Sequence, residues 1–338
     1  MNQNFIDFMR QFTGCRLAVA VSGGVDSVCL LCWLAQISAD VVCLHVNHGL
    51  RANAEIETQY VRDLCAQLNI PCQIFYWTDD KPVSGLEAAA RTARYKFMTD
   101  FCRDNNIDAL LTAHQADDQI ETFLMNLGRG SGLYGLAAMR SITYRDGIKI
   151  VRPLLGVPRS ELKKYCDENN IKYFTDEMNA DPHYTRVRIR QNRHLLSDSL
   201  GISDARILLA VQNLGRVRDA LDEQIADMTR TVVENRRAVF MASFLFDQSP
   251  DIRLKLLGTL IQQIGGDEYQ PRLHSLSNAL NKLQHDCKIT LGHCTLRRLG
   301  DKILIVPEGS KTTFRTRYGK SKSTNKSNKS DKSKQQEK

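Results

Sequence analysis

The stretch AVAVSGGVDS, residues 18–27, decides the fold of the chain. A short β-rich run ends in two glycines, and DSVCLLCWLAQIS after them has apolar residues at helical spacing. Glycines at such a junction let backbone N–H groups approach anionic oxygens, and the dipole of the following helix favours a phosphate there. The ending G-K-[ST] of a Walker A loop is absent. The residues predicted to hold the phosphate are Ser22, Gly23, Gly24, Val25, Asp26 and Ser27, with Asp26 also placed to hold Mg²⁺.

Strand-like and helix-like segments alternate outward from this stretch. The apolar runs RLAVAVS, DVVCLHVNHG, PCQIFYWTD and DALLTAHQ are separated by helical patterns, which predicts an α/β fold with a doubly wound parallel sheet. Ligands of such sheets bind beyond the carboxyl ends of the strands, where SGGVDS, HVNHGLR and TAHQADDQIET all fall. We therefore expect these three motifs to form one site.

The second part of the chain has a different pattern. It is mostly helical until CKITLGHCTLRRLGDKILIVPE, which predicts a late strand pair with a Gly-Asp turn. We expect a catalytic domain over residues 1–198, a smaller, mainly helical domain over 199–310 and a basic, disordered tail over 311–338. The tail has ten Lys or Arg and two acidic residues, so its net charge of +8 equals that of the whole 338-residue chain. It is either a solubilising tail or an arm that attracts RNA.

Composition excludes several classes of protein. No run of about 18 apolar residues predicts a membrane span, and the N-terminus MNQNFIDFMRQF lacks the features of a secretory signal. Ten cysteines are scattered through mostly apolar segments, which is typical of reduced thiols in a cytoplasmic protein. Cys29 and Cys32 form a C-x-x-C, but they lie in the apolar helix after the phosphate motif, which favours a place in the core.

TAHQADDQIETFLMNLG concentrates charge on one helix face at the end of a strand. His114, Asp117 or Asp118, and Glu121 follow one another at helical spacing. Three acids so close repel one another unless a cation offsets them, and the candidates are Mg²⁺ brought by a bound phosphate or the ammonium group of a substrate. The Gly-rich segment over residues 128–136 is either a mobile loop or a flexible turn.

Several of these motifs resemble those of one enzyme family. SGGVDS resembles the pyrophosphate loop of the N-type ATP pyrophosphatases, whose fold is Rossmann-like. HVNHGLR, which contains His48 and Arg51, resembles the HVDHGLR element of the tRNA(Ile)-lysidine synthetases. LEAAARTARYKF resembles their E-x-x-A-R-x-x-R-Y element, and TAHQADDQIET matches H-x-x-D-D-x-x-E-T in full. In TDEMN and RVRIR, Met178 and Val187 replace the serine and asparagine of the family pattern, whereas Asp176, Asn179, Arg186 and Arg190 remain.

The resemblance implies a ligase of the shorter family type. ATP would adenylate O2 of the wobble cytidine in an isoleucine tRNA with a CAU anticodon, and the ε-amine of L-lysine would then displace AMP. The implied cofactors are ATP and Mg²⁺, and a homodimer is implied because family members are often dimers. The residue roles that it implies are Asp26, Arg91, Asp118 and Glu121 for catalysis; the phosphate residues, His48 and His114 for ATP; Asp118 and Glu121 for lysine; Asp26 and Asp117 for the metal; and Arg186, Arg188, Arg190 and Arg193 for tRNA.

The alternatives to these assignments are specific. Arg91 either pairs with Glu87 on a solvated helix face or binds a phosphate of ATP or tRNA. The arginines from 186 to 193 form either an ordinary helix surface or a stripe for the tRNA backbone. A sulfur-inserting tRNA enzyme would share the phosphate motif, and a non-catalytic nucleotide-binding RNA module would bind ATP without releasing pyrophosphate.

Overall fold

The computed structural model of the chain describes residues 1–37, 39–50, 53–79, 81–82, 84–175, 185–267 and 269–310. Arg51, residues 176–179 of the TDEMN motif and the basic tail lie outside these residues. Spatial compactness divides the chain into two units, Met1–Ala220 and Leu221–Lys338. The boundary predicted at residue 198 stays a prediction, because compactness tests neither independent folding nor tRNA binding.

A six-stranded sheet organises the first unit. Its strands are β1 (Leu17–Ala20), β2 (Val41–Asn47), β3 (Cys72–Tyr76), β4 (Ala109–Leu111), β5 (Ile142–Arg145) and β6 (Ile148–Val151). Their order in space is β3-β2-β1-β4-β6-β5, and all neighbours are parallel except the edge strand β5. The four strands expected from the apolar runs are β1 to β4, so the predicted doubly wound parallel sheet is confirmed.

The helices of this unit place apolar residues against both faces of the sheet. They are α1 (Gln3–Met9), α2 (Val25–Gln36), α3 (Ala54–Gln67), α4 (Leu86–Asp104), α5 (Ala116–Gly128), α6 (Leu133–Leu136), α7 (Arg159–Glu168), α8 (Thr185–Asn192), α9 (His194–Leu200) and α10 (Asp204–Val232), the last of which contains the division point. Successive β1 residues alternate between two apolar clusters, because a strand points its side chains to opposite faces in turn. Trp33 of α2 belongs to one cluster and Met98 of α4 to the other.

The position of β1 determines where a ligand site is expected. β1 lies between β2 and β4, and the strand order reverses direction at this point. A crevice opens beyond the carboxyl ends of the strands at such a switch. The segments that leave β1, β2 and β4 are the three polar motifs singled out from the sequence.

The hairpin of β5 and β6 was missed by the sequence analysis. Its turn is Asp146-Gly147, with φ of 50° and 80°, the left-handed geometry of a two-residue hairpin turn. The Asp-Gly pair in TYRDGIKI was the signal that identifies it. The hairpin extends the sheet beyond β4 and brings Arg145 and Arg152 to the site described below.

The second unit combines helices with a five-stranded antiparallel sheet. The strands are β7 (Val233–Glu234), β8 (Arg237–Met241), β9 (Cys287–Leu291), β10 (Cys294–Leu299) and β11 (Lys302–Pro307), in the order β7-β8-β11-β10-β9. The helices beside them are α11 (Ala242–Phe246), α12 (Pro250–Gly265) and α13 (Leu273–Lys282). The expected late pair is β10 and β11, joined at Gly300 and Asp301, and the other three strands were not foreseen. Leu256, Leu260, Leu296 and Ile305 belong to the core of this unit.

Among the described residues, no helix is both long and apolar enough to span a membrane.

Candidate active site

The phosphate loop (Ser22–Ser27) connects β1 to α2 and is held together by hydrogen bonds between its own residues. The Ser27 hydroxyl donates to the Gly24 carbonyl at 2.9 Å, and the Ser22 amide donates to the Ser27 hydroxyl at 3.1 Å. Gly23 has φ of +88°, a conformation that glycine adopts without strain. The N-cap residue is Gly24, which has no side chain, so the first backbone N–H groups of α2 have no side-chain cap. Those N–H groups are therefore directed at the crevice, as an anion site at a helix N-terminus requires.

Asp26 lies in the first turn of α2, close to both positively and negatively charged side chains. The guanidinium Nε of Arg159 lies 3.5 Å from Asp26 Oδ1, and that oxygen is buried without a hydrogen bond. Burial raises the pKa of Asp26 to about 6, and the negative charges of Asp118 and Asp117 act in the same direction, against Arg159. A cation bound at the free oxygen would reverse this effect. The carboxyl group of Asp26 therefore fits Mg²⁺. The sequence analysis had not identified Arg159 as a neighbour of Asp26.

The acid cluster (Asp117, Asp118 and Glu121) occupies the start of α5 as predicted. Asp118 Oδ2 accepts from the backbone N–H of Gln115 at 3.0 Å, and Gln115 Oε1 accepts from the backbone N–H of Asp117 at 2.5 Å. The side chains of Gln115 and Asp118 thus cap the helix. Burial raises the pKa values of both Asp118 and Glu121. Asp118 therefore caps its own helix as well as facing the crevice.

Glu121 and Asp117 are paired with arginines from α8 and the residue after it. Glu121 is fully buried, and its Oε1 accepts from Nε and Nη2 of Arg190 at 2.8 and 2.7 Å. Its other oxygen, Oε2, is buried without a hydrogen bond. Asp117 Oδ1 accepts from Arg193, while its Oδ2 accepts the Arg159 amide at 2.9 Å. Asp117 thus has both oxygens engaged, whereas Glu121 has one oxygen available to a substrate.

These ion pairs change the predicted tRNA stripe. Of its four members, Arg190 and Arg193 are half-buried and bind carboxylates of the acid cluster. Arg186 and Arg188 are exposed, and Arg188 donates to Thr185 at 3.1 Å. The structure therefore separates the stripe into an inner pair that binds the acid cluster and an exposed outer pair. Arg186 of the outer pair is still close enough to the site for its charge to act against the raised pKa values of Asp118 and Glu121.

A second group of cations, the arginine cluster, surrounds Tyr95. Arg91, Arg94 and Arg145 place their guanidinium carbons 5.1, 5.8 and 4.4 Å from the centre of its ring. Arg152 completes the cluster and donates to the Arg140 carbonyl at 3.0 Å. Burial lowers the pKa values of Arg94 and Arg152. Within the described part of the chain, only Arg145 has a carboxylate nearby, and Arg91 does not pair with Glu87.

His114 lies close to the arginine cluster and precedes the acid cluster by three residues in the chain. Its Nδ1 is 3.0 Å from the Thr112 hydroxyl. Burial lowers the pKa of His114 to about 3, and the positive charges of Arg152, Arg91 and Arg94 contribute in the same direction. The imidazole is therefore neutral near pH 7, and it offers a hydrogen bond rather than a charge.

The two histidines of β2 and its end have different environments. His45 is buried, with Nδ1 2.8 Å from the Val21 carbonyl and Nε2 3.1 Å from the Thr58 hydroxyl. That hydroxyl also lies 2.8 Å from the Ala54 carbonyl and accepts from Asn47 at 3.0 Å. His45 thus braces the residue before the phosphate loop.

His48 follows the same strand at the sheet edge predicted for ATP. Its ring meets Trp77 edge to face, with 5.8 Å between the centres. The Gly-rich segment over 128–136 joins α5 to α6, and Asn126 donates to the Gly135 carbonyl across it at 2.7 Å.

The C-x-x-C pair does not face the site. Cys29 and Cys32 are buried among the apolar residues of α2, as the core interpretation predicted. A hydrogen bond with Cys166 and burial raise the pKa of the Cys29 thiol far above its ordinary value. These thiols are therefore poor carriers of sulfur.

Comparisons with known proteins agree with this geometry. The model of the PP-loop domain family matches residues 1–195. The tRNA(Ile)-lysidine synthase of Ruegeria pomeroyi is 36% identical over 87% of this chain and 74% of its own. That of Wolbachia pipientis is 36% identical over 88% and 71%, and that of Rhodopseudomonas palustris is 34% identical over 86% and 90%.

A similar solved structure supports the fold alone. It is a U34-tRNA thiolase from Methanococcus maripaludis with its [4Fe-4S] cluster, with a TM-score of 0.51 and 18% identity over 63% of this chain and 80% of that chain. The phosphate loop, the acid cluster and the curated relatives together define the family. The chain belongs to the tRNA(Ile)-lysidine synthases, which are ATP-using ligases built on a PP-loop domain.

Proposed function

We propose that the chain joins L-lysine to C2 of the wobble cytidine in an isoleucine tRNA with a CAU anticodon. ATP use and a tRNA substrate follow from the family, and the lysine, the target base and the roles of single residues are our proposal. The observation that supports it best is the convergence of the phosphate loop and the acid cluster. Asp117 and Asp118 lie close enough to Asp26 to raise its pKa.

The first step forms an adenylated cytidine. O2 of the base attacks the α-phosphorus of ATP, an O–P bond forms, and pyrophosphate leaves. The amides of the phosphate loop and the hydroxyls of Ser22 and Ser27 are suited to hold the departing pyrophosphate. His48 and His114 flank the same edge of the sheet and are our candidates for nucleotide contacts.

Asp26 is the best metal ligand of the site. Its buried Oδ1 lacks a hydrogen bond, and hard carboxylate oxygens suit Mg²⁺. Mg²⁺ bound there would neutralise charge on the phosphates. Asp117 was also a candidate ligand, but both of its oxygens accept hydrogen bonds from protein groups, so we assign it the role of positioning Arg193 and α7.

The second step transfers lysine. The ε-amine attacks C2, a C–N bond forms, and AMP departs, so the attacking nitrogen must lose its protons. Oε2 of Glu121 is buried and free of hydrogen bonds, and burial raises the pKa of this carboxyl group, which favours its acting as a proton acceptor. We propose that Glu121 accepts the proton and that Asp118 helps to hold the ammonium group.

The arginine cluster is our candidate for charge on the RNA and the leaving group. It concentrates positive charge beside His114, at the end of β4. Arg91 is exposed and stacks on Tyr95, so it can reach a phosphate at the mouth of the crevice. Arg186 and Arg188 extend the exposed positive surface for a tRNA backbone.

Three parts of the proposal concern the whole chain. Residues 199–310 are our candidate for the region that grips the tRNA body, and the basic tail is our candidate for a weak RNA arm. We further propose that the active species is a homodimer, as the resemblance to family members implies. Light scattering on the purified chain measures its mass in solution, and a monomer that is fully active would overturn this last part.

The decisive experiment follows both half-reactions. The full chain is incubated with ATP, Mg²⁺, labelled lysine and an unmodified isoleucine CAU tRNA, with a methionine CAU tRNA as control. We expect pyrophosphate release and lysine label on the isoleucine tRNA alone. Pyrophosphate without label would refute lysine as the nucleophile, and label on both tRNAs would refute the specificity.

A matched pair of variants tests the role of Glu121. Glu121→Gln removes the proton acceptor, whereas Glu87→Gln makes the same change at an exposed position of α4. We expect Glu121→Gln to reduce lysine transfer at least about 100-fold, in the range typical of a lost general base, and Glu87→Gln to have no effect. Equal activity of the two variants would remove Glu121 from the mechanism.

A further inference from the structure

Three thiols outside the active site converge on one point. Cys43 lies on β2, Cys65 on α3 and Cys72 on β3, and their sulfur atoms are all within 4.8 Å of one another. Cys43 and Cys72 are register partners on neighbouring parallel strands, and Cys65 lies above them. The thiol cluster (Cys43, Cys65 and Cys72) therefore joins three elements by their sulfur atoms.

The surroundings of the thiol cluster favour a thiolate at Cys72, whereas hydrogen bonding to Cys72 and burial raise the pKa values of the Cys43 and Cys65 thiols. Cys43 and Cys65 are fully buried, and Cys72 is half-buried. Hydrogen bonds from Cys43 and Cys65 lower the pKa of the Cys72 thiol, and the nearby positive charge of Arg62 acts in the same direction. A thiolate, rather than a thiol, is the form that binds a metal.

The donor set is limited to sulfur. His45 is close, but its two nitrogens already contact the Val21 carbonyl and the Thr58 hydroxyl. Within the described ranges, the thiol cluster is the one group of three or more Cys, His, Asp or Glu side chains that meets at metal-binding distances. Three soft ligands without a fourth suit a cation such as Cu(I), whereas structural Zn²⁺ is almost always four-coordinate.

We propose that Cys43, Cys65 and Cys72 form a three-thiolate site for Cu(I). With metal–sulfur bonds of about 2.3 Å, a trigonal site separates its sulfurs by roughly 4 Å, so the thiols need to move by less than about 1 Å. The thiols of Cys43 and Cys65 each exchange an S–H bond for a metal–sulfur bond and release the proton to solvent, whereas Cys72 binds as a thiolate. No electron transfer is involved.

Competition with a chelator tests the site on the full chain. Metal-free, reduced protein is titrated anaerobically against Cu(I) held by the chromogenic chelator bathocuproine disulfonate. We expect the wild-type chain to take one equivalent, Cys65→Ala to weaken this uptake at least about 100-fold, and Cys102→Ala to leave it unchanged. Cys102 is the matched control because it is also a fully buried helical cysteine, on α4.

Two outcomes would overturn the proposal. One is a wild-type chain that takes no Cu(I) from the chelator, and the other is equal uptake by the Cys65→Ala and Cys102→Ala variants. X-ray absorption at the copper edge of the wild-type complex adds a readout that depends on no variant. Three sulfur neighbours would support the site, and two or fewer would refute it.

Discussion

Among single residues, Asp26 has the clearest conflict between stability and function. Its carboxyl group lies in the first turn of α2, with one buried oxygen that has no hydrogen bond. Its folded-state pKa of about 6 lies above the ordinary value of 3.8. The protonated group therefore stabilises the fold below about pH 4, and this contribution is lost as the pH rises through about 6. At pH 7 the ionised form costs on the order of 3 kcal/mol.

The first prediction concerns Asp26→Asn. Because asparagine cannot ionise, we expect the variant to melt at a higher temperature than the wild type at pH 7, with the difference shrinking towards pH 4. Pyrophosphate release should fall at least about 100-fold, because the metal ligand is lost. Calorimetry at both pH values checks the first effect, and Asp7→Asn on α1 is the exposed control. An unchanged melting temperature would contradict a destabilising buried charge at Asp26.

The second prediction concerns the pH dependence of the adenylation step. We expect kcat/KM for pyrophosphate release to rise with pH through about 6, because Asp26 must be ionised to hold a cation. His114 titrates near pH 3 and does not contribute to this limb. His114→Asn should therefore lower the rate and leave the position of the limb unchanged. A limb that disappears in this variant would assign the titration to the histidine.

At the scale of elements, α5 and α8 depend on each other through buried ion pairs. The sequence predicted the acidic face of α5, because the spacing of its carboxylates is local. It did not predict that Arg190 and Arg193 would turn towards that face, because the partners are about 70 residues apart in the chain and nothing local pairs them. The same reason explains why Arg159 was missed as the partner of Asp26.

The third prediction concerns this pairing. Arg190→Ala leaves Glu121 fully buried without its cation, so we expect the free energy of unfolding to drop by about 3–5 kcal/mol. Arg188→Ala, on the exposed face of the same helix, should cost less than about 1 kcal/mol. Urea denaturation measures both changes. Adding Glu121→Gln to the Arg190→Ala chain should recover part of the loss, and a double variant no more stable than Arg190→Ala would contradict a charge-based cost.

Strands were predictable to the extent that their side chains are apolar. β1 and β2 are buried on both faces of the sheet and give continuous apolar runs. β5 is an edge strand whose side chains are mostly half-buried, and β7 has only two residues. Neither strand therefore gives a distinct alternation of apolar and polar residues. Hairpin turns were the better signal for these strands, as Asp146-Gly147 shows.

For the whole molecule, charge is divided unevenly along the chain. The net charge of +8 equals that of the tail alone, so residues 1–310 are close to neutral in sum. The positive charge of the first unit is instead concentrated locally, in the arginine cluster and on the outer side of α8. We therefore propose that long-range attraction of tRNA comes from the tail and local grip from the arginines of the first unit.

The fourth prediction separates these two contributions. Deleting residues 320–338 should reduce tRNA affinity at low salt and lower the slope of log K against log salt by about one to three. Activity at saturating tRNA should be unchanged, because none of the residues assigned to the site belongs to the tail. Filter binding over a range of salt concentrations measures the slope. An affinity that is unchanged at every salt concentration would show that the tail only aids solubility.

The hydrogen bonds around His45 determine which ring nitrogen carries a hydrogen. The Val21 carbonyl can only accept, so Nδ1 must carry a hydrogen, and in a neutral ring Nε2 is then an acceptor. The Thr58 hydroxyl has a single hydrogen but two acceptors within reach, the ring nitrogen and the Ala54 carbonyl. A second ring proton would satisfy every partner, yet burial lowers the pKa of the ring. The Ala54 carbonyl begins α3 and also accepts the backbone N–H of Thr58, so the hydroxyl can turn to Nε2 without leaving an acceptor unsatisfied. The orientation of this one hydroxyl therefore decides whether the ring beneath the phosphate loop is held through one nitrogen or through both.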